Sequence, residues 1–139
     1  MTLYLDTSAL VKLYVREHET SAVTARVGTT PLIATARVAY PEARAALARR
    51  HRERAISHRG LRSAVAALDR DFEQYVVVEL VAPVARLAGE LSERHALRGF
   101  DAIHLASALE LRSMTNEPVA FCCFDTRLAE AAVAEGLLA

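Results

Sequence analysis

Short apolar segments alternate with longer amphipathic segments along this chain, and this alternation is the strongest constraint on its fold. Apolar segments predict strands at residues 3–5, 31–34, 76–80 and 119–124. Helical periodicity and capping residues predict helices at residues 7–15, 19–27, 35–53, 57–75, 83–94, 100–112 and 126–135. Because strands separated by helices need crossover connections, we expect an α/β fold, a three-layer α/β/α sandwich whose mostly parallel central sheet has four or five strands.

Length and composition predict a single domain that spans residues 1–139. The chain is 53% hydrophobic and 24% charged, a globular balance that excludes wholesale disorder. No apolar run approaches the roughly eighteen residues of a membrane span, and no basic segment of a signal peptide opens the chain. The two cysteines, Cys122 and Cys123, are adjacent, which is neither a disulfide framework nor a zinc pattern, so we expect a cytoplasmic protein.

Four acidic residues stand where an α/β fold places its ligands. Asp6 follows the first predicted strand, Asp125 follows the last, Asp101 opens a helix after a glycine, and Glu42 lies on the first long helix. Ligands of open α/β sheets bind beyond the carboxyl ends of the strands, so we expect Asp6 and Asp125 at that edge. Gathered carboxylates repel one another unless a cation lies between them, and oxygen ligands favour Mg²⁺ or Mn²⁺. Such ions can activate water for phosphodiester hydrolysis.

The same acids also have a purely structural explanation. Aspartate is a favoured helix N-cap, and Asp6, Asp101 and Asp125 each precede or open a predicted helix. Glu42, taken alone, is equally explained as a solvated helix residue. Spacing alone therefore leaves two interpretations open, a metal site and a set of unrelated caps.

Positive charge is concentrated in one part of a chain that is neutral overall. Residues 44–62 hold seven arginines and a single acid, Glu53. Arginine suits bidentate contact with phosphate or carboxylate, so RNA or an acidic protein partner could bind here. The candidate contact residues are Arg44, Arg49, Arg50 and Arg52. A solvated helix face is the alternative, and with no tryptophan in the chain we expect little base stacking.

Four segments, in this order, resemble the motifs of a known family. LDTSALVKLY at residues 5–14, YPEAR at 40–44, RGFDAIHLA at 98–106 and FDTRL at 124–128 are similar to the four acidic motifs of PIN domains. The third segment is the most specific. The order, spacing and length resemble the VapC toxins of VapBC type II toxin–antitoxin modules, and the resemblance extends from residue 3 to about residue 133.

The resemblance implies a Mg²⁺-dependent endoribonuclease toxin, with Mn²⁺ as a possible substitute, that hydrolyses RNA with metal-activated water. It implies that Asp6, Glu42 and Asp101 are the main catalytic and metal-binding acids, and that Asp125 is a fourth, more variable one. Ser8 would support the geometry of the metal site. The resemblance also implies a homodimer and a cognate VapB antitoxin, which would lay a segment in a groove near the site and inhibit the enzyme.

His104 lies within the third of these segments, and Cys123 directly precedes the fourth. His104 lies one helical turn after Asp101, and we expect it to support or pack behind the site rather than to act as a base. Many relatives carry threonine or serine two residues before the fourth acid, where this chain has Cys123. Because a thiol is a weaker hydrogen-bond partner than a hydroxyl, the contact of Asp125 with metal, direct or through water, stays open.

Four other functions can be compared with this one. A non-toxin PIN nuclease of RNA processing would share both fold and chemistry. A catalytically inert PIN-like protein-binding scaffold is disfavoured because all four acids are present. A receiver-like phosphoacceptor domain needs a late lysine, and Lys12 is the only lysine. A dinucleotide-binding module is disfavoured because no glycine-rich sequence follows a strand.

Overall fold

Strands and helices follow one another in the predicted order. The computed structural model describes all 139 residues. Its elements are β1 (Thr2–Leu5), α1 (Thr7–Val11), α2 (Thr20–Thr29), β2 (Leu32–Ala36), α3 (Ala39–Arg52), α4 (His58–Phe72), β3 (Val76–Val78), α5 (Ala82–His95), α6 (Gly99–Thr115), β4 (Val119–Cys122) and α7 (Thr126–Ala134). None of the seven helices is long and apolar enough to cross a membrane.

The four strands form one parallel sheet in the order β3-β2-β1-β4. The chain runs from β1 outward through β2 to β3 and then crosses to β4 on the other side of β1. The strand order therefore reverses beside β1, and the carboxyl ends of β1 and β4 form the switch point at which α/β folds bind ligands. Leu138 adds a single bridge to Ala120 on the outer side of β4. The predicted parallel α/β sheet is confirmed.

The sheet divides the hydrophobic core into two layers, because successive strand residues point to opposite faces. Tyr4 and Phe121 pack on one face with residues of α5, α6 and α7. Leu3 and Leu5 pack on the other face with residues of α1, α2, α3 and α4. Helices thus cover both faces, which is the predicted three-layer sandwich.

The start of the helix predicted at residues 35–53 was wrong. Thr35 and Ala36 end β2, and α3 begins only at Ala39. Thr35 is fully buried, and its hydroxyl donates a hydrogen bond of 2.8 Å to the carbonyl oxygen of Leu5. Parallel pairing of Thr35 with Val77 therefore outweighs the helical preference of the sequence that follows.

Other boundaries differ by a few residues. The first helix ends at Val11 rather than residue 15, because the amides of residues 12–14 bond to carbonyls three residues back in tight turns. The second helix, predicted at residues 19–27, begins at Thr20 and continues as far as Thr29. Strands β3 and β4 each end two residues earlier than predicted. None of these differences moves a predicted site residue to another element.

Candidate active site

Asp6 begins the site at the point where β1 ends. Its Oδ1 accepts hydrogen bonds from the Ala9 amide at 2.9 Å and the Ser8 hydroxyl at 2.7 Å, so it caps α1. The residue is only 4% exposed. Burial raises the pKa of Asp6 despite these two hydrogen bonds, and the negative charge of Asp101 raises it further. No protein group donates to Oδ2. One oxygen of this carboxylate therefore caps the helix, and the other is free to bind a ligand.

Glu42 lies in the first turn of α3. As in Asp6, protein groups donate hydrogen bonds to only one of its two carboxylate oxygens. Its Oε1 accepts hydrogen bonds from the Thr7 hydroxyl at 2.6 Å and from Nε2 of His104 at 3.1 Å. Burial alone raises the pKa of Glu42, but the hydrogen bonds from His104 and Thr7 outweigh burial and lower it. Glu42 is therefore held as a carboxylate whose Oε2 has no protein donor.

His104 joins Glu42 to the core of the protein. It is 2% exposed, and its Nδ1 lies 2.8 Å from the hydroxyl of Tyr4, while Nε2 lies 3.0 Å from Oγ1 of Thr7. The proton of the Thr7 hydroxyl is donated to Glu42, so Nε2 must carry a proton to bond to either oxygen. In the neutral ring the Tyr4 hydroxyl then donates to Nδ1. The chain of donors thus runs from Tyr4 through His104 to Glu42.

Asp101 and Asp125 meet at a cavity of about 530 Å³ on the same edge of the sheet. Asp101 stands in the first turn of α6, with Nε of Arg98 at 3.4 Å from its Oδ2. Asp125 is exposed and caps α7 through a hydrogen bond of 2.9 Å from the Leu128 amide to its Oδ1. Each of these acids also has an oxygen without a protein donor.

Cys123 does not orient the Asp125 carboxylate. Its thiol lies 3.7 Å from the backbone carbonyl oxygen of Asp125, to which it donates. Burial raises the pKa of Cys123 to about 12, so the group remains a neutral thiol. The direction of the Asp125 side chain is instead set by the helix cap from the Leu128 amide, and whether Asp125 contacts metal directly or through water stays open.

The four acids do not form one ready-made ligand set. No three side chains among the histidines, cysteines and acids converge closely enough to hold a metal ion together. The free oxygens of Asp6 and Glu42 are nonetheless hard, anionic ligands, and this donor set fits Mg²⁺ or Mn²⁺. The charges of Asp6 and Asp101 act on one another, and a cation shared between these carboxylates would remove that repulsion. Their assignment as ligands stays a prediction.

A cavity of about 500 Å³, here called the basic cavity for its one surplus positive charge, adjoins the Asp6 side of the site. Its lining includes two hydroxyl residues, three cations and two acids: Thr7, Ser8, Lys12, Arg49, Arg50, Glu17 and Glu53. Lys12 is held by two acids of the following turn, with Nζ–oxygen distances of 2.8 Å and 3.2 Å. Arg50 also pairs with one of those acids, and Arg49 pairs with Glu53 at 3.4 Å, although its side chain is 73% exposed. Arg49 is the most exposed of the three cations and is held only by this exposed ion pair, so it can turn to a ligand more readily than Lys12 or Arg50.

The other two candidate arginines lie elsewhere. The guanidinium carbon of Arg44 is 5.7 Å from the ring centroid of Tyr40, and Arg44 lines a different cavity beside Pro41. Arg52 is exposed at the end of α3. Of the four arginines predicted to contact RNA or an antitoxin, only Arg49 and Arg50 border the basic cavity.

Comparison with known proteins shows the family of this chain. Residues 3–134 match the family described as PIN domain. The chain belongs to the PIN-domain family. Ribonuclease VapC45 of Mycobacterium tuberculosis is 43% identical to this PIN domain over 111 residues, which cover 77% of this chain and 74% of the relative. Ribonuclease VapC46 of the same species is 35% identical over 135 residues, covering 97% and 93%.

Solved structures share the fold of this PIN domain. M. tuberculosis VapC20, described as a sarcin-ricin loop cleaving toxin, superposes with a TM-score of 0.70 at 20% identity and covers 98% of this chain and 96% of its own. VapBC2 of Rickettsia felis, solved with a DNA fragment from its promoter, gives a TM-score of 0.56 at 14% identity, with 86% of each chain covered. At these identities the likeness establishes the fold alone.

Two members of the hydrogen-bond chain behind this PIN-domain site were missed from the sequence. Thr7 was predicted only to start a helix, and Tyr4 was given no role. The position of Thr7 directly after Asp6 was the one local feature that indicated a role for Thr7 in the site. Tyr4 and His104 are 100 residues apart in the chain, so only the tertiary fold brings them together.

Proposed function

We propose that this PIN domain is a Mg²⁺-dependent endoribonuclease and the toxin of a VapBC type II toxin–antitoxin module. The observation that carries the proposal is the hydrogen bonding of the Asp6 and Glu42 carboxylates at the switch point of the sheet. In each carboxylate, protein donors occupy one oxygen and leave the other free. The name Ribonuclease VapC, which both sequence relatives carry, supports RNA as the substrate.

Asp6, Glu42 and Asp101, with Asp125 as a fourth acid, would hold the cation. When bound, Mg²⁺ would supply charge neutralisation and an activated water for phosphodiester hydrolysis. Ser8 keeps Asp6 turned by its hydrogen bond to Oδ1, and Thr7 and His104 do the same for Glu42. These residues fix the free oxygens before the substrate arrives.

The expected activity is cleavage of RNA only in the presence of a divalent cation. Purified antitoxin-free protein, incubated with total cellular RNA and Mg²⁺ or Mn²⁺, should release discrete products with 5′-phosphate and 3′-hydroxyl ends. Excess EDTA should abolish their release, because the acids would then lack the cation that neutralises them against phosphate. Gel electrophoresis and end-group analysis of the products provide the measurement.

The metal must be shown to act on the site and not on the RNA alone. Far-ultraviolet circular dichroism should show the same folded protein with cation and with EDTA. Equal cleavage in EDTA would contradict the proposed chemistry. Products with 2′,3′-cyclic phosphate ends would contradict it as well, since these arise from attack by the RNA's own hydroxyl.

Arg49 should contribute affinity for the RNA backbone without reading its sequence. Removing one phosphate-binding cation, in Arg49→Ala, should weaken RNA binding and reduce the slope of log affinity against log salt by about one. Arg86→Ala is the matched control, because Arg86 is an exposed arginine on α5 that borders neither cavity of the site. Equal salt slopes for both variants would show that the basic cavity does not meet RNA.

The same proposal includes the partners and the compartment of the toxin. A VapB-type antitoxin would inhibit the enzyme, and the toxin would form a homodimer in the cytoplasm. The VapBC2 complex of Rickettsia felis, which shares this fold, supports an antitoxin as partner. The basic cavity beside Ser8 and Lys12 suits an acidic segment as well as RNA, so one surface could serve substrate and inhibitor in turn.

A further inference from the structure

Phe124 lies between the two cavities at the carboxyl edge of the sheet. Its ring lines the cavity that holds Asp101 and Asp125. The ammonium of Lys12, which lines the basic cavity, is 4.7 Å from the ring centroid. Phe124 follows a buried strand, yet it is 40% exposed. An aromatic surface thus joins the basic and the acidic parts of the site.

The surroundings of this ring suit a polyanion with flat groups. Arg98 and Arg127 line the same cavity and offset the charges of Asp101 and Asp125, and Lys12, although paired with two acids, lies beside the ring. The Arg127 guanidinium donates to the Ala96 carbonyl oxygen at 3.1 Å, which fixes its position at the cavity wall. Lys12 is fixed by its two acidic partners. Cations surrounding an exposed aromatic are the arrangement by which proteins bind single-stranded nucleic acid.

A protein partner fits this surface less well. An anchoring pocket for a protein side chain is mostly apolar and loses its water on binding. Here the remaining apolar wall is limited to Ala96 and Leu97, and four of the eight lining residues are charged. The volume of about 530 Å³ lies within the range of roughly 300–1,000 Å³ found for small-ligand sites, which includes a single nucleotide.

We propose that Phe124 is a base-stacking residue and that the cavity beside it is a subsite for one nucleotide of single-stranded RNA. The inference rests on the proposed function, because Asp101 and Asp125 on the same cavity wall would place this nucleotide next to the scissile phosphate. Stacking uses the flat face of any base, so the subsite tolerates every sequence. It requires an unpaired base, since the bases inside an RNA duplex present no free face to a side chain.

Stacking can be separated from phosphate contacts with two probes. A fluorescent oligoadenylate and an abasic oligonucleotide of the same length carry the same backbone, and EDTA prevents cleavage during titration. The wild-type protein should prefer the oligoadenylate. Phe124→Ala should weaken oligoadenylate binding by about tenfold to a hundredfold and abolish the preference over the abasic probe. Phe124→Tyr, which keeps an aromatic face, should restore most of the preference.

Phe100→Ala is the control variant. Phe100 is another exposed phenylalanine, 56% exposed, and it lines neither of the two cavities. Its removal should leave both affinities unchanged, and thermal melting should show that all variants are folded. Unchanged oligoadenylate affinity in Phe124→Ala would overturn the subsite. A protein partner would then be the remaining candidate ligand for the ring. Equal weakening for both probes would overturn it too, because the ring would then act through the backbone contacts.

The outcomes also separate this inference from the proposed function. If the protein cleaves RNA with Mg²⁺ and Phe124→Ala behaves like the wild type, the subsite is wrong and the nuclease assignment stands. If the wild-type protein neither binds the probes nor cleaves RNA, the nuclease assignment fails and the subsite fails with it.

Discussion

Asp6→Asn should abolish metal-dependent RNA cleavage while the protein stays folded. Asparagine is as good a helix N-cap as aspartate, so its carbonyl oxygen can still accept from the Ala9 amide and the Ser8 hydroxyl. The change removes only the charge that a cation would use. Loss of several kcal/mol of charge stabilisation corresponds to a rate reduction of about a thousandfold or more.

The stability of this variant should rise or stay equal when no metal is present. Burial and the charge of Asp101 raise the pKa of Asp6, which means that the ionised carboxylate costs folding free energy at neutral pH. The neutral amide removes that cost. Thermal melting by circular dichroism, with and without Mg²⁺, measures it, and the increase in melting temperature that Mg²⁺ gives the wild type should be lost. Full cleavage activity in the folded variant would disprove the assigned site.

Thr7→Val should lower the cleavage rate by about tenfold to a hundredfold, the usual effect of removing a group that orients a metal ligand. Valine keeps the shape of threonine but cannot donate the 2.6 Å hydrogen bond to Oε1 of Glu42. That hydrogen bond helps to lower the pKa of Glu42. Without it the pKa of Glu42 rises, so the loss of activity toward acid pH should begin at a higher pH than in the wild type.

Thr7→Ser provides the matched control, because serine retains the hydroxyl and should retain both the rate and the pH profile. Mg²⁺ affinity, measured by calorimetry on the folded variants, gives a readout independent of cleavage and should fall for valine alone. Tyr4→Phe removes the first donor of the same chain and should shift both quantities in the same direction, by a smaller factor. A uniform rate loss with unchanged pH profile and Mg²⁺ affinity would argue against a positioning role for Thr7.

Local sequence patterns predicted most of the fold. The alternation of apolar and amphipathic segments was sufficient for the order of all eleven elements, because each apolar segment ends close to a helix start. Ser57 caps α4 through the Gly60 amide, and Pro41 lies in the first turn of α3, where its missing N–H costs little. The boundary at Thr35 was missed because its cause is a pairing with another strand, which no short segment can reveal.

The sequence indicated acids at the sheet edge with Ser8 and His104 beside them, but it did not indicate the contacts of Thr7 and Tyr4. Asp6 and Asp125 follow strands, and that position alone assigns them to the carboxyl edge. Thr7, which holds Glu42, acts across 35 residues of sequence, and the Tyr4–His104 contact spans 100. The roles of such residues depend on which side chains the sheet brings face to face. The exposure of Phe124 likewise depends on where β4 ends, two residues before the apolar segment does.

Leu138 pairs with the edge strand β4, and this pairing limits how partners can bind. Its carbonyl oxygen accepts from the Phe121 amide at 2.8 Å, and its own amide donates to the Val119 carbonyl oxygen at 3.0 Å. These bonds occupy the Phe121 amide and the Val119 carbonyl on the outer side of β4, the edge at which a foreign strand could otherwise extend the sheet. The opposite edge, β3, offers only three residues. Strand addition is therefore poorly supported at either side of this sheet, which protects the protein from edge-to-edge aggregation and directs its partners to helices and side-chain cavities.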